Sequence, residues 1–104
     1  MGRLSKQMNN EQLFFDLIKE KLGLIELAAK EVLEQHKNSG EKFSGVNYGD
    51  LSVVDVYLTY HMDEYIEYYV LIEECSPTAY ELQRYMIEGL KDKLGFYVNV
   101  ECAW

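Results

Sequence analysis

Two segments in which apolar side chains recur at every second residue place the strongest constraint on the fold. The first segment carries Val54, Val56, Leu58 and Tyr60 at alternate positions. The second carries Ile66, Tyr68, Val70 and Ile72 in the same way. Successive side chains of a β-strand point to opposite faces of a sheet. Each segment therefore predicts a strand with one face turned toward a core.

The short connection between these strands predicts an antiparallel hairpin with a defined register. Its loop consists of Met62, Asp63 and Glu64. If both apolar sets face one core, Leu58 pairs with Tyr68. On the same face, Val56 pairs with Val70. The opposite face then brings together Tyr57 with Tyr69, Thr59 with Glu67, and His61 with Tyr65.

Helices are predicted on both sides of the hairpin. Asn9 or Asn10 can cap a first helix from Glu11 to about Lys37, with Gly23 as a break or kink. Its apolar stripe is wide enough to indicate burial against two surfaces, because it includes Leu13, Phe15, Leu17, Leu24 and Leu27. A second helix is predicted over residues 77–94, from the cap Ser76 and the N1 proline Pro77 to the stop at Gly95.

A last alternating segment, residues 96–104, predicts a third strand that ends at Trp104 as part of the core. The order α-β-β-α-β makes the second and third strands parallel if they share a sheet. The fold class is therefore α+β, with a three-stranded mixed sheet packed against helices. The 104 residues suit a single domain, 1–104. Within it, residues 1–10 are expected to be flexible and residues 38–50 to form a mobile loop.

The charge is unevenly distributed. No lysine or arginine lies between Lys42 and Arg84, whereas eight acidic residues do. Residues 1–52 have net charge −1 and residues 53–104 have net charge −7. Such a field repels phosphate backbones and attracts basic surfaces. We therefore expect a basic protein partner, such as a nuclease or nucleic-acid-binding protein, and no direct nucleic-acid contact.

The predicted face opposite the core combines acidic and tyrosine side chains. Tyrosine offers a large, rigid contact area with a polar tip, which solubility alone does not explain. Val53 and Leu71 are also assigned to this face. The candidate partner-binding residues are Asp55, Tyr57, Tyr65, Glu67, Tyr69, Glu73, Tyr97 and Glu101. Three alternatives stay open: acidic residues that serve solubility only, a first helix that covers this face, or a homodimer formed sheet to sheet.

Signals for catalysis and for metal or cofactor binding are weak. His36 and His61 are the only histidines, and neither is placed beside a nucleophile. His61, Asp63 and Glu64 would form at most a weak cation site on a turn. No catalytic residue, metal ligand or cofactor is therefore assigned, and the protein is not expected to be an enzyme.

The cellular location is predicted from the chain's apolar segments and its cysteines. No stretch is long and apolar enough for a membrane span or a signal peptide. The spacing of Cys75 and Cys102 matches neither a zinc site nor a redox pair, and two buried thiols in a reducing compartment are preferred over a disulfide. We expect a cytoplasmic protein with no membrane contact.

Together these features favour a non-catalytic binding protein of the inhibitor, antitoxin or immunity type, which docks a basic partner on its acidic tyrosine face. The alternative is a dimeric regulatory domain that binds a small molecule or a metal between helix and sheet.

Overall fold

The described part of the chain contains two helices and three strands, in the predicted order. The structure is a computed structural model that describes residues 2–62 and 64–103. Its elements are α1 (Gly2–Asn38), β1 (Ser52–His61), β2 (Tyr65–Glu73), α2 (Tyr80–Leu94) and β3 (Asn99–Ala103). The predicted α+β class and single domain are confirmed. The predicted places of Asp63 in the hairpin loop and Trp104 in the core lie outside the described residues.

The sheet has the order β1-β2-β3, and its register is the one that the alternation predicts. β1 and β2 are antiparallel, with Leu58 opposite Tyr68 and Tyr57 opposite Tyr69. β2 and β3 are parallel, as the crossover through α2 requires. β1 ends at His61 and β2 begins at Tyr65, as the predicted hairpin requires.

A β-bulge changes the start of β1. The register shifts between Val53 and Asp55, so that Val53 lies opposite Ile72 and Val54 has no partner in the ladder. Val53 consequently packs against the core, and Val54 is 42% exposed. The predictions that Val54 faces the core and Val53 the opposite face are both wrong, because the extra residue of a bulge inverts the parity of the residues before it.

Both helices pack on the same face of the sheet. The buried core joins α1 residues such as Ile25 and Val32 to Leu82 and Met86 of α2 and to Val70 of β2. Tyr57, Tyr69 and Leu71, on the other side of the strands, do not belong to this core. The fold thus has two layers, and within the described residues no helix covers the odd-numbered face of β2. The alternative that the first helix covers the tyrosine face is wrong.

The helices differ from their predicted bounds at their N-terminal ends. α1 begins at Gly2 and not at Glu11, while the predicted flexibility of residues 1–10 is not tested. α2 begins at Tyr80 because Ser76 and Pro77 form a turn first, in which the Thr78 N–H donates to Ser76 Oγ at 3.2 Å. The predicted stop at Gly95 is confirmed: this glycine is left-handed, with φ 81°, and its N–H donates to the Lys91 carbonyl.

The connection between α1 and β1 is anchored at its middle. Val46 forms an isolated antiparallel bridge with Cys75. On either side, the Asn47 N–H donates to the Glu74 carbonyl at 2.8 Å and the Ser76 N–H to the Gly45 carbonyl at 2.7 Å. These bonds hold the loop against the end of β2; its mobility stays a prediction.

Cys75 and Cys102 form a disulfide, with Cα atoms 5.4 Å apart. The prediction of two free thiols is wrong. The parallel ladder places Cys102 beside Ile72, three residues before Cys75, and this brings the two cysteines together. The finding removes one argument for a reducing compartment, so the cytoplasmic location stays a prediction. Neither described helix is long and apolar enough to cross a membrane.

Candidate functional site

The uncovered face of the sheet brings most of the predicted site residues together. Tyr57 and Tyr69 lie opposite each other on β1 and β2. Thr59 and Glu67 form the next pair on the same face, toward the hairpin. From β3, Glu101 lies opposite Leu71. We call this surface, formed by Tyr57, Thr59, His61, Tyr65, Glu67, Tyr69, Leu71, Asn99 and Glu101, the tyrosine face.

A pair of parallel rings forms its centre. The Tyr57 and Tyr69 rings are stacked with their centroids 5.1 Å apart and an angle of 5° between their planes. Each hydroxyl donates to a carboxylate: Tyr57 Oη to Glu101 Oε2 at 3.0 Å and Tyr69 Oη to Glu67 Oε1 at 2.6 Å. These bonds hold both rings across the three strands, so a partner would meet a preformed surface.

Glu67 also connects this centre to the hairpin end. Its Oε1 lies 2.9 Å from His61 Nε2, which in turn lies 3.1 Å from Thr59 Oγ1. The His61 ring stacks on Tyr65 with centroids 4.7 Å apart. Two stacked aromatic pairs and the Glu67 carboxylate therefore form one continuous polar and aromatic strip along β1 and β2.

Burial and the neighbouring carboxylates favour the protonated form of the two central tyrosines. Burial, followed by the hydrogen bond to Glu101, raises the pKa of Tyr57 to about 12. The hydrogen bond to Glu67 is the main reason why the pKa of Tyr69 is also raised. A carboxylate stabilises the neutral phenol that donates to it and disfavours a second negative charge beside it. Both phenols are protonated at neutral pH, and both hydroxyls donate to glutamates.

Three predicted residues lie at the margin of this site. Asp55 is exposed on the edge strand β1, where its carboxylate accepts from the Val56 N–H at 2.9 Å. Glu73 is exposed at the end of β2, and Tyr97 is exposed before β3 begins. Tyr97 therefore has no place in the ladder, and the prediction that the third strand extends back to residue 96 is wrong.

The list of candidate partner-binding residues omits four residues of the tyrosine face: Leu71, which the alternation assigns to this face, and Thr59, His61 and Asn99. Thr59 and His61 lie beside the listed Glu67 and Tyr65, and the predicted register had already placed them there. Asn99 lies opposite Tyr69 in the parallel ladder. Its position could not be predicted, because the alternation of β3 gives its parity but not its alignment with β2.

Other sites for chemistry are limited. Among residues 2–62 and 64–103, no three histidine, cysteine or acidic side chains are grouped to hold a metal ion. The weak candidate at the hairpin includes Asp63, which lies outside this part of the chain. An open cleft of about 360 Å³ lies between α1 and the bulge of β1, lined by Leu22, Gly23 and Val54 among others.

Comparison with known proteins found no match to this chain among family models, curated proteins or solved structures.

Proposed function

We propose that the protein is a non-catalytic binding protein of the inhibitor, antitoxin or immunity type, and that its tyrosine face docks a basic protein. The observation that carries this proposal is the hydrogen bonding of the Tyr57 and Tyr69 hydroxyls at the centre of the face. Both donate to glutamates, so toward a partner their oxygens can act only as acceptors, and at Tyr69 the Thr59 and Asn99 side chains share this acceptor. A surface that offers acceptors and flat rings suits arginine and lysine side chains.

The ring geometry supports arginine in particular. A guanidinium group can lie flat on a tyrosine ring and at the same time donate in its own plane to a carboxylate. On the tyrosine face, Glu67 and Glu101 lie beside the stacked rings of Tyr69 and Tyr57. An arginine of the partner would therefore meet a ring and a carboxylate together.

The long-range field supports the same class of partner. The half of the chain that contains the sheet carries net charge −7, and no lysine or arginine lies between Lys42 and Arg84. An acidic surface accelerates association with a basic one and weakens association with nucleic acid. The rate of association with the partner should therefore decrease when salt is added.

The test compares two charge-reversal variants of the full chain. Glu67→Lys with Glu101→Lys changes the tyrosine face, whereas Glu34→Lys with Glu88→Lys makes the same change in net charge on exposed helical positions. Each protein is immobilised and exposed to a cell lysate at low salt. A basic protein recovered by the wild type is then purified and titrated against all three proteins.

We expect the tyrosine-face variant to bind this protein at least 30-fold more weakly, since a buried charge pair whose partner is removed costs about 2 kcal/mol or more. The helical variant should retain near wild-type affinity. Equal losses of affinity in both variants would mean that binding depends on the net charge of the protein and not on the tyrosine face. Recovery of no salt-released basic protein by the wild type would reject the proposal.

The alternative hypothesis, a regulatory domain with a small ligand, would use the cleft between α1 and β1. This cleft is open and has side chains of both charges, Lys19 with Glu26 and Asp55, at its walls. Native mass spectrometry of protein purified from its host distinguishes the two hypotheses, because a bound small mass favours the ligand-binding domain.

A further inference from the structure

The middle of α1 exposes large apolar side chains that do not pack against the rest of the fold. Leu13, Leu17, Leu24 and Leu27 are each 55–62% exposed. The neighbouring Phe14 and Phe15 are 49% and 57% exposed. Isolated exposed leucines are ordinary in soluble proteins, but four on one side of a helix are not; Phe14 and Phe15 point to other sides of α1.

The four leucines form a separate stripe on the helix. At ~100° per residue, they lie about a third of a turn away from the stripe of Ile25, Ala29 and Val32 that packs on the sheet. Together with Glu20 they occupy positions 13, 17, 20, 24 and 27. We call this row, Leu13, Leu17, Glu20, Leu24 and Leu27, the leucine stripe.

The spacing of the leucine stripe is that of a helix–helix seam. Its intervals alternate between four and three residues, the a/d pattern with which two helices pack side by side. The stripe extends over ~21 Å at 1.5 Å per residue, and the molecule is elongated, with a longest dimension of 58 Å. A partner helix could therefore lie along the stripe.

The leucine stripe supplies the apolar centre of a small dimer contact. If each of its four leucines exposes roughly 100 Å², two copies would together bury on the order of 800 Å² of apolar surface. With the polar side chains that flank the stripe, such a contact approaches the ~1,200 Å² at the lower end of stable interfaces. Every copy already carries the required partner helix.

The distribution of charge favours the helix over the sheet for contact between copies. Two chains of net charge −8 repel each other, but residues 1–52 account for only −1 of this charge. Contact through α1 keeps the acidic tyrosine faces apart, whereas contact sheet to sheet would place Glu67 and Glu101 near their copies. The least charged half of the molecule is thus also the half with exposed leucines.

We propose that the protein is a homodimer in which the leucine stripes of two α1 helices pack against each other. This contact leaves the tyrosine face of each copy free, so the dimer is independent of the proposed binding function. Glu20 weakens the seam, because it places a carboxylate in the otherwise apolar row.

The experiment measures the dimer dissociation constant by sedimentation equilibrium for four forms of the full chain. These are the wild type, Leu17→Glu with Leu24→Glu, Glu20→Leu, and the control Met62→Glu with Tyr80→Glu. The control adds the same two charges at apolar side chains that are 91% and 66% exposed outside the stripe. Thermal melts of dilute samples check that each variant still folds.

We expect a species of twice the 12.2 kDa chain mass for the wild type and the control. The two leucine substitutions should weaken the dimer at least 100-fold, and Glu20→Leu should strengthen it at least ten-fold. A wild type that stays monomeric up to high micromolar concentration would overturn the proposal. So would a dimer whose dissociation constant is the same in the stripe variant and in the control.

Discussion

A fully buried histidine shows how a single residue can make the stability of this fold depend on pH. His36, near the end of α1, has no exposed surface and stacks on Phe43 with ring centroids 4.6 Å apart. Its Nε2 lies 2.7 Å from Tyr48 Oη, and within the described chain its Nδ1 has no hydrogen-bond partner. The Tyr85 ring closes the other side at 4.9 Å. A protonated ring would have two N–H donors where the surroundings provide one oxygen.

Burial is the main reason that the pKa of His36 is lowered from its usual 6.5; Glu41 opposes this shift and Lys42 adds to it. The unfolded chain therefore binds a proton that the folded chain does not, and stability rises with pH in this range. We expect the melting temperature to be highest above pH 6.5 and to fall as the pH decreases below it. In His36→Gln this part of the pH dependence should disappear.

His61→Gln is the matched control for this prediction, because His61 lies on the tyrosine face and is only partly buried. Its melting temperature should still fall below pH 6.5, because the buried His36 is retained. Melts of the three proteins between pH 5 and 8 compare them; a slope that is unchanged in His36→Gln would show that another group titrates.

At the scale of elements, the closest approach of α1 to α2 depends on one glycine. A Cβ atom at Gly89 of α2 would lie 2.8 Å from Cγ1 of the buried Val32. Valine in a helix has one strongly preferred rotamer, so it cannot turn aside easily. On the outer side of the same helix pair, Lys93 Nζ lies 3.0 Å from Glu31 Oε2. The small residue and the ion pair together determine how the two helices pack.

Gly89→Ala should therefore destabilise the protein although alanine is the better helix former. The gain in propensity is ~1 kcal/mol, whereas overpacking a core contact costs ~1–3 kcal/mol. Val32→Ala removes the obstacle, so the double variant should be at least ~1 kcal/mol more stable than the sum of the single effects predicts. Urea unfolding of the four proteins measures this coupling. Additive effects would mean that the helices separate without strain.

The elements also show which features can be predicted from sequence. The register of β1 and β2 was accessible because a one-residue slip would bury Glu67 and expose Val70. The bulge was not, because Val53 and Val54 are both apolar and either can face the core. Ser76 and Pro77 are typical of a helix start, but here they serve a turn, and α2 begins only at Tyr80. Local signals thus determine the ends of an element less well than its existence.

For the candidate site, the residues that share one face of the sheet could be predicted from the sequence, whereas the hydrogen bonds between their side chains could not. Alternation alone places Tyr57, Tyr69 and Glu67 on one surface. The bond from Tyr57 to Glu101 joins residues 44 positions apart, and it depends on the alignment of β3, which only the folded chain defines. Whether this face is covered likewise depends on the side of the sheet on which α1 packs, and the alternation of the strands does not determine that side.

At the scale of the whole molecule, the disulfide closes the unit formed by β2, α2 and β3. Cys75 follows β2 and Cys102 lies in β3, 27 residues further along the chain. β3 is the shortest strand, with five residues, and it pairs only with β2. The strand that contributes Glu101 to the tyrosine face is thus retained by one ladder, by core contacts of Val100 and by this covalent bond.

Cys75→Ala with Cys102→Ala should consequently lower the free energy of unfolding by about 3–4 kcal/mol, the loop-closure value for a loop of this size. Native-state hydrogen exchange locates the effect. We expect the amides of β3 to exchange faster in the variant, while those paired between β1 and β2 are affected less, because the hairpin does not depend on the disulfide. Wild-type protein under strong reductant is the control and should behave like the variant. A loss below ~1 kcal/mol with unchanged β3 exchange would show that the ladder and the core alone hold β3, and then Glu101 would keep its place beside Tyr57 in a reducing compartment as well.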